Sequence, residues 1–229
     1  MSDQATGAPV RLDAHGGLKW LRARLRGRAG RTLVGIDGLD GSGKATFADD
    51  IAAMVAECGG SAIRISLSRY LNPQSVRYAQ GRTSPRGFYE DSYDYGRFHD
   101  EVLEPLGREG SGRYRTAAYD LAAEAPVTSP WLVAPDDAVV VIDGLFLHRK
   151  EFMTAGRKVW DYSVWLEVPF DEAYRRLHER EGCSSADPHD PGNARYYEGQ
   201  LLYQRECQPQ ARADLVIENT GPHTSIDDL

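Results

Sequence analysis

Strongly apolar runs punctuate the chain at Thr32 to Asp37, Ile63 to Leu67, Ala138 to Ile142, Trp160 to Val168 and Asp214 to Glu218. They are too short for ordinary helices and read as buried strands. Between them the apolar positions recur at helical spacing. Val10 to Arg28 carries Leu12, Leu18, Leu21 and Leu25 near one face, with Arg22, Arg24, Arg26 and Arg28 among them. Lys44 to Glu57 turns Phe47, Ile51, Met54 and Val55 inward and stops at Gly59-Gly60. Tyr95 to Leu106, a helix opened by Pro169, and Asn193 to Cys207 follow the same rule. Arg113 to Thr116 and Tyr119-Asp120 read as a short extended pair. Strands alternating with helices predict an α/β fold around a parallel sheet.

In such a sheet, ligands lie at the carboxyl ends of the strands. The first strand ends in Gly38-Leu39-Asp40-Gly41-Ser42-Gly43-Lys44, and a helix begins at once. This is the phosphate-binding loop G-x-x-x-x-G-K-[ST] up to its last position. Glycines let successive backbone N–H groups converge on an anion, and the helix start adds positive charge. The candidate nucleotide-binding set is Gly38, Asp40, Gly41, Ser42, Gly43, Lys44, Ala45 and Thr46. Ala45 stands where a hydroxyl normally ligates Mg²⁺, and a methyl group cannot do so. The apolar run ending at Asp143 supplies the usual acidic partner for Mg²⁺. Arginines beside the Gly/Ser/Pro-rich stretch after Glu181 suit a lid over phosphates. The irregular, tyrosine-rich stretch after Leu67 suits a substrate-binding loop.

Composition narrows the picture further. The 229 residues carry 27 basic and 34 acidic side chains, a net charge of −7, which speaks against a nucleic-acid or membrane coat. Cys58, Cys183 and Cys207 form neither a disulfide framework nor a zinc signature, which suits a reducing cytoplasm. No signal peptide, membrane-length apolar run or internal repeat is seen. The expectation is a single domain over 1–229, with a substrate-binding insertion at about 69–130 and a lid at about 176–195.

The ordered set of segments resembles the uridine kinase branch of the phosphoribulokinase/uridine kinase family, in its actinobacterial-type form. The carrying segments are the loop Gly38 to Lys44, Ser84-Pro85-Arg86-Gly87-Phe88, Asp91-Ser92-Tyr93-Asp94-Tyr95, Arg113 to Thr116, Ile142 to Arg149, and Tyr197-Glu198-Gly199-Gln200. The resemblance implies a P-loop three-layer fold with a five-stranded parallel sheet. It also implies ATP with Mg²⁺ and transfer of the γ-phosphoryl group to a hydroxyl of a nucleoside or related sugar. It gives Lys44 to the ATP phosphates, Asp143 to the metal, and Arg176 and Arg180 to the lid as catalytic cations. The substrate set is Tyr78, Arg82, Tyr93, Tyr95, Arg115, Arg195 and Gln200, with Arg69 holding an anionic group if the substrate carries one. Small-molecule partners are implied, and a homo-oligomer is left open.

Two departures fall on the chemistry. Relatives carry an acid after the second strand that takes the proton from the attacking hydroxyl, whereas this chain has Ser68-Arg69-Tyr70. Ala45 is the other. A general base contributes about 10²–10⁴ in rate. Candidates for a relocated base are Asp37, Asp40, Glu90, Asp91 and Asp143. The alternatives are a kinase fold that binds nucleotide or nucleoside for regulation, or different phosphate chemistry in a specialised biosynthetic pathway.

Overall fold

The computed structural model describes residues 8–182 and 185–221. The first seven residues, Cys183 and Ser184 of the expected lid, and the tail beyond Gly221 lie outside the described residues. The central sheet contains β1 (Val10–Leu12), β2 (Thr32–Gly38), β3 (Ala62–Ser66), β4 (Val139–Asp143), β5 (Tyr162–Glu167) and β6 (Leu215–Glu218), in spatial order β1-β6-β5-β2-β4-β3. Every pairing is parallel. The principal helices are α1 (Ala14–Leu25), α2 (Lys44–Glu57), α3 (Pro85–Asp91), α4 (Phe170–Glu181) and α5 (Ala194–Cys207).

The sheet has one strand more than expected. Val10 to Leu12 reads as the start of a helix, yet it is an edge strand on β6. The reason is Asp13, whose carboxylate accepts the Gly16 N–H at 2.7 Å and so starts α1 at Ala14. Residues before that cap are left extended.

Both sheet faces are covered, which explains the near-continuous apolar strands. On β2, Val34 and Ile36 face one cluster, with Leu18 and Leu21 of α1 and Phe47, Ile51 and Met54 of α2. Leu33 faces the other, an aromatic cluster including Phe88, Phe98, Phe146, Trp160, Trp165 and Tyr203. Gly35 lies on this second face because a Cβ there would meet the Trp160 ring at 2.7 Å.

Residues from the 69–130 stretch pack into the second cluster. Ser84 caps α3 by accepting the Gly87 N–H at 3.0 Å, with Pro85 in the first turn. The expected helix from Tyr95 to Leu106 is present, with a π-type turn at His99–Leu103. Pro105 has no N–H for the Glu101 carbonyl, and the Arg115 N–H takes that carbonyl at 3.1 Å. The two short extended pieces do not pair with each other: Arg113–Tyr114 pairs with Leu132–Val133, and Tyr119–Asp120 with Ala125–Pro126. Ser129 Oγ accepts the Thr116 and Ala117 amides at 3.2 Å each, which keeps the connector from folding back.

Candidate functional site

Three strand ends meet at one point of the sheet's carboxyl edge, where the register sets Asp143 beside Ile36 of β2 and Ser66 of β3. The loop from Gly38 to Lys44 leaves β2 there and wraps the start of α2. Gly41 and Gly43 have φ of 78° and 88°, a region that favours glycine. A Cβ on Gly41 would also lie 2.2 Å from the Ala173 carbonyl oxygen of α4. The N-cap of α2 is Gly43, with no side-chain cap, so first-turn amides remain for an anion. Ser42 Oγ is buried and has no hydrogen-bond partner among the described residues.

Lys44 Nζ donates to the Gly38 and Leu39 carbonyls at 3.1 and 2.6 Å. Desolvation pulls its ammonium below the ordinary lysine range, against the opposing charges of Asp40, Asp37 and Asp143. Arg180 is exposed near the end of α4, and its charge also reaches Lys44. Arg176 acts from further back. Its Nη2 donates to the Asn219 carbonyl at 2.9 Å, and Asn219 Nδ2 donates to the Ser42 carbonyl at 2.8 Å. Hydrogen bonds from Arg175 and Arg176 hold the Glu172 carboxyl down to about 2. Gln200 braces the loop from α5, its Oε1 accepting the Asp40 N–H at 2.8 Å. Beside the loop opens a cavity of about 440 Å³ lined by Gly43, Thr46, Phe47, Arg175, Arg176 and Asn219 among others.

Asp37 is fully buried. Its Oδ1 accepts the Gly38 N–H at 2.8 Å; its Oδ2 accepts the Leu147 N–H at 3.0 Å and the Tyr203 hydroxyl, and lies 2.8 Å from His148 Nδ1. Burial, then the Asp37 charge, pushes the Tyr203 hydroxyl well above its ordinary range. This carboxylate is an internal brace and is not presented to a substrate. Glu90 is bonded by Arg86 at 2.7 Å and Gln80 at 3.0 Å, and Asp91 by Gln80 at 2.9 Å.

Asp143 is engaged as well. Arg64 Nη1 donates to its Oδ1 at 2.9 Å and Ser66 Oγ to its Oδ2 at 3.2 Å. Ser66 Oγ lies 2.8 Å from Ser68 Oγ, so Ser68 joins this chain of polar contacts. Among the described residues no group of three or more His, Cys, Asp or Glu side chains could hold a metal. With Ala45 offering a methyl and both Asp143 oxygens bonded to protein donors, the set does not fit a protein-held Mg²⁺.

The substrate candidates divide. Tyr93 is buried within reach of the Asp40, Asp143 and Asp37 charges, and burial above all raises its hydroxyl well above the ordinary range. Tyr95 packs beside it at 5.9 Å, and Arg69 is exposed next to Ser68. Arg195 is buried and donates to the carbonyls of Arg77, Gly81 and Ser84 at 2.7, 3.0 and 2.9 Å. Tyr78 carries the Arg82 and Arg195 guanidiniums over its ring, each 4.9 Å from the centroid. Arg115 stands over Trp131 at 4.4 Å and lies 3.4 Å from Glu101. Tyr93 and Tyr95 therefore pack together within reach of the Asp37 charge, while Tyr78, Arg82 and Arg195 shape the 77–84 turn.

Sequence reasoning missed Arg64, Ser66, His148, Tyr203 and Asn219. Arg64 had a signal: a charge between Ile63 and Ile65 in a buried strand needs partners. Asn219 directly follows the last strand, at the edge where ligands lie.

No protein-family model matches the chain. It is 25% identical over 149 residues to a uridine kinase of Leuconostoc citreum, covering 65% of this chain and 68% of that protein. It is 25% identical over 181 residues to human nicotinamide riboside kinase 1, covering 77% and 78%. Among solved structures, one described as a possible uridine kinase from Bacillus stearothermophilus superposes with a TM-score of 0.68 at 23% identity, covering 89% of this chain and 98% of that one. D-glycerate 3-kinase from Cryptococcus neoformans shares the fold with a TM-score of 0.55 at 14% identity, covering 88% and 90%. The chain has the three-layer α/β P-loop fold of these structures and is similar in sequence to a uridine kinase and a nicotinamide riboside kinase.

Proposed function

We propose that the protein transfers the γ-phosphoryl group of ATP to a hydroxyl of a nucleoside, uridine- or cytidine-like, or of a related sugar. The observation that carries this is the uncapped start of α2 in the phosphate loop, with Lys44 and the unpartnered Ser42 hydroxyl beside it. Phosphates on the first-turn amides leave the nucleotide base to extend into the cavity along Gly43, Thr46 and Asn219. The acceptor enters from the opposite side, between Ser68-Arg69 and Tyr93. Arg180 closes from α4 over the transferred group. Phosphoryl transfer rests chiefly on such positioning and charge. Mg²⁺ accompanies ATP in the resemblance; the residues here do not assemble a site for it.

Asp40 is the proposed proton acceptor. It belongs to the loop itself, and its charge reaches Lys44, Tyr93, Tyr174 and Tyr196. The cytoplasmic setting and small-molecule partners belong to the same reading. A second reading, binding without turnover, is favoured by Ser68 standing in the family's acid position and bonded toward Asp143.

The test is ADP release from ATP with uridine, cytidine, other nucleosides and ribose-type sugars. Acceptor-dependent release that Lys44→Ala abolishes, and Asp40→Asn lowers by about 10²–10⁴, supports the kinase. Nucleotide binding without release from any acceptor supports the second reading.

A further inference from the structure

Arg64 lies between the two positions from which a phosphate-loop protein holds its metal, the residue after the loop lysine and the acid at the neighbouring strand end. Its Nη1 donates to Asp143 Oδ1 at 2.9 Å and to the Val141 carbonyl at 3.3 Å. Its Nη2 donates to the Ala45 carbonyl at 3.3 Å, and its Nε to Asp49 Oδ1 at 2.8 Å. Every guanidinium nitrogen is thus in use, and the side chain is 24% exposed. The register explains the reach. Arg64 pairs with Val141 and Ser66 with Asp143, so both β3 side chains rise on one face toward the same carboxylate. Asp49 stands one helical turn beyond Ala45 and fixes the guanidinium from α2.

The substitutions form one pattern. Ala45 removes the metal's hydroxyl, Arg64 pairs with the metal's carboxylate, and Ser66 bonds its remaining oxygen. An arginine keeps its charge at every physiological pH and binds a carboxylate in fixed geometry. With Asp143 and Asp49 both paired to it, its charge is matched, and it fills permanently the place on the carboxylate that a divalent cation would fill exchangeably.

We propose that Arg64 replaces the protein-held divalent cation of this site, so that a nucleoside triphosphate binds without any metal ligand from the protein. The proposal rests on the nucleotide site inferred above and deepens it. Lys44 and the α2 amides then face the phosphates directly, and Asp143 anchors Arg64.

Calorimetric titration of the full chain with ATP, once in Mg²⁺ and once in EDTA, tests this without reference to turnover. The expected dissociation constants agree within about threefold, well inside the tenfold step that marks one substantial interaction. The double variant Arg64→Ala with Ala45→Thr frees Asp143 and restores the hydroxyl, and is expected to bind ATP at least about tenfold more tightly in Mg²⁺ than in EDTA. A native protein that binds ATP about tenfold or more tightly in Mg²⁺ overturns the proposal and leaves the kinase reading standing. A folded double variant without the Mg²⁺ gain overturns it also. Should the double variant fail to fold, Asp143→Asn is used with Mn²⁺ as the probe. Its Mn²⁺ affinity in the ATP complex is expected to equal that of the native chain, and a loss of about tenfold or more sinks the idea. Absence of ATP binding in both buffers overturns this inference together with the nucleotide site on which it rests.

Discussion

Lys44 sits in a balance that a ligand must tip. Its ammonium is partly withdrawn from water and is satisfied by two loop carbonyls, and burial lowers its proton affinity. Phosphates arriving beside it favour the charged form, so binding raises the affinity for that proton. The sign follows by linkage: where the free protein has released the Lys44 proton and the complex has not, binding takes one up. ATP affinity is therefore expected to fall as pH rises through an alkaline range below 10.5, with an enthalpy that depends on the buffer's ionisation. Calorimetry in two buffers reads both effects, and an affinity flat with pH would place Lys44 away from the phosphates. Asp37 is the counterexample beside it. Its oxygens are taken by the Gly38 and Leu147 amides, Tyr203 and His148, and it is fully buried where Asp40 is only partly so. A buried carboxylate so bonded cannot leave its partners without large cost. Residue identity alone did not separate these two aspartates; their surroundings do.

At the scale of elements, the loop is held in place by α4 and α5. Gly41 meets the Ala173 carbonyl of α4, Gln200 of α5 takes the Asp40 amide, and Asn219 after β6 holds the Ser42 carbonyl. Gly41→Ala would force a left-handed backbone on an L side chain, at about 1–2 kcal/mol, and press a methyl group into Ala173. The expected outcome is a destabilised chain whose ATP affinity falls more than its global stability, because α4 is pushed off the loop. Urea unfolding beside calorimetry checks it, and unchanged ATP affinity would mean that α4 need not close. These contacts also show what was legible beforehand. Strand ends, the loop glycines, Lys44 and Asp143 stood out because periodicity and spacing are local properties. The β1 edge strand reads as helix because its three residues are too few to declare a period, and only the Asp13 cap separates them from α1. The resemblance gives Arg195 to the substrate, and in the fold its guanidinium donates to the carbonyls of the turn from Arg77 to Ser84. Contacts more than a hundred residues apart leave no such trace in spacing.

Across the whole molecule, the insertion and the sheet share one core. Phe88, Tyr93 and Phe98 of the insertion belong to the same cluster as Ile65 and Ile142 of the sheet and Tyr203 of α5. The cluster on the other face joins α1 and α2 to the same strands. With the sheet common to both, no part of the described chain has a core of its own, and thermal unfolding is expected in one transition. On a chain of net charge −7, Lys44, Arg64, Arg176 and Arg180 stand around the loop, interleaved with Asp37, Asp40, Asp49, Asp143 and Glu172. A nucleotide bound there stabilises the folded state by about 2.7 kcal/mol at 100 times its Kd. At roughly 2–4 °C per kcal/mol for a chain of this size, ATP is expected to raise the midpoint by about 5–10 °C. The shift should move the whole transition and vanish in Lys44→Ala. Scanning calorimetry separates the outcomes: a second, unshifted transition would show that the insertion folds apart from the nucleotide-binding core, so that occupancy of the loop could not order the acceptor side between Ser68 and Tyr93.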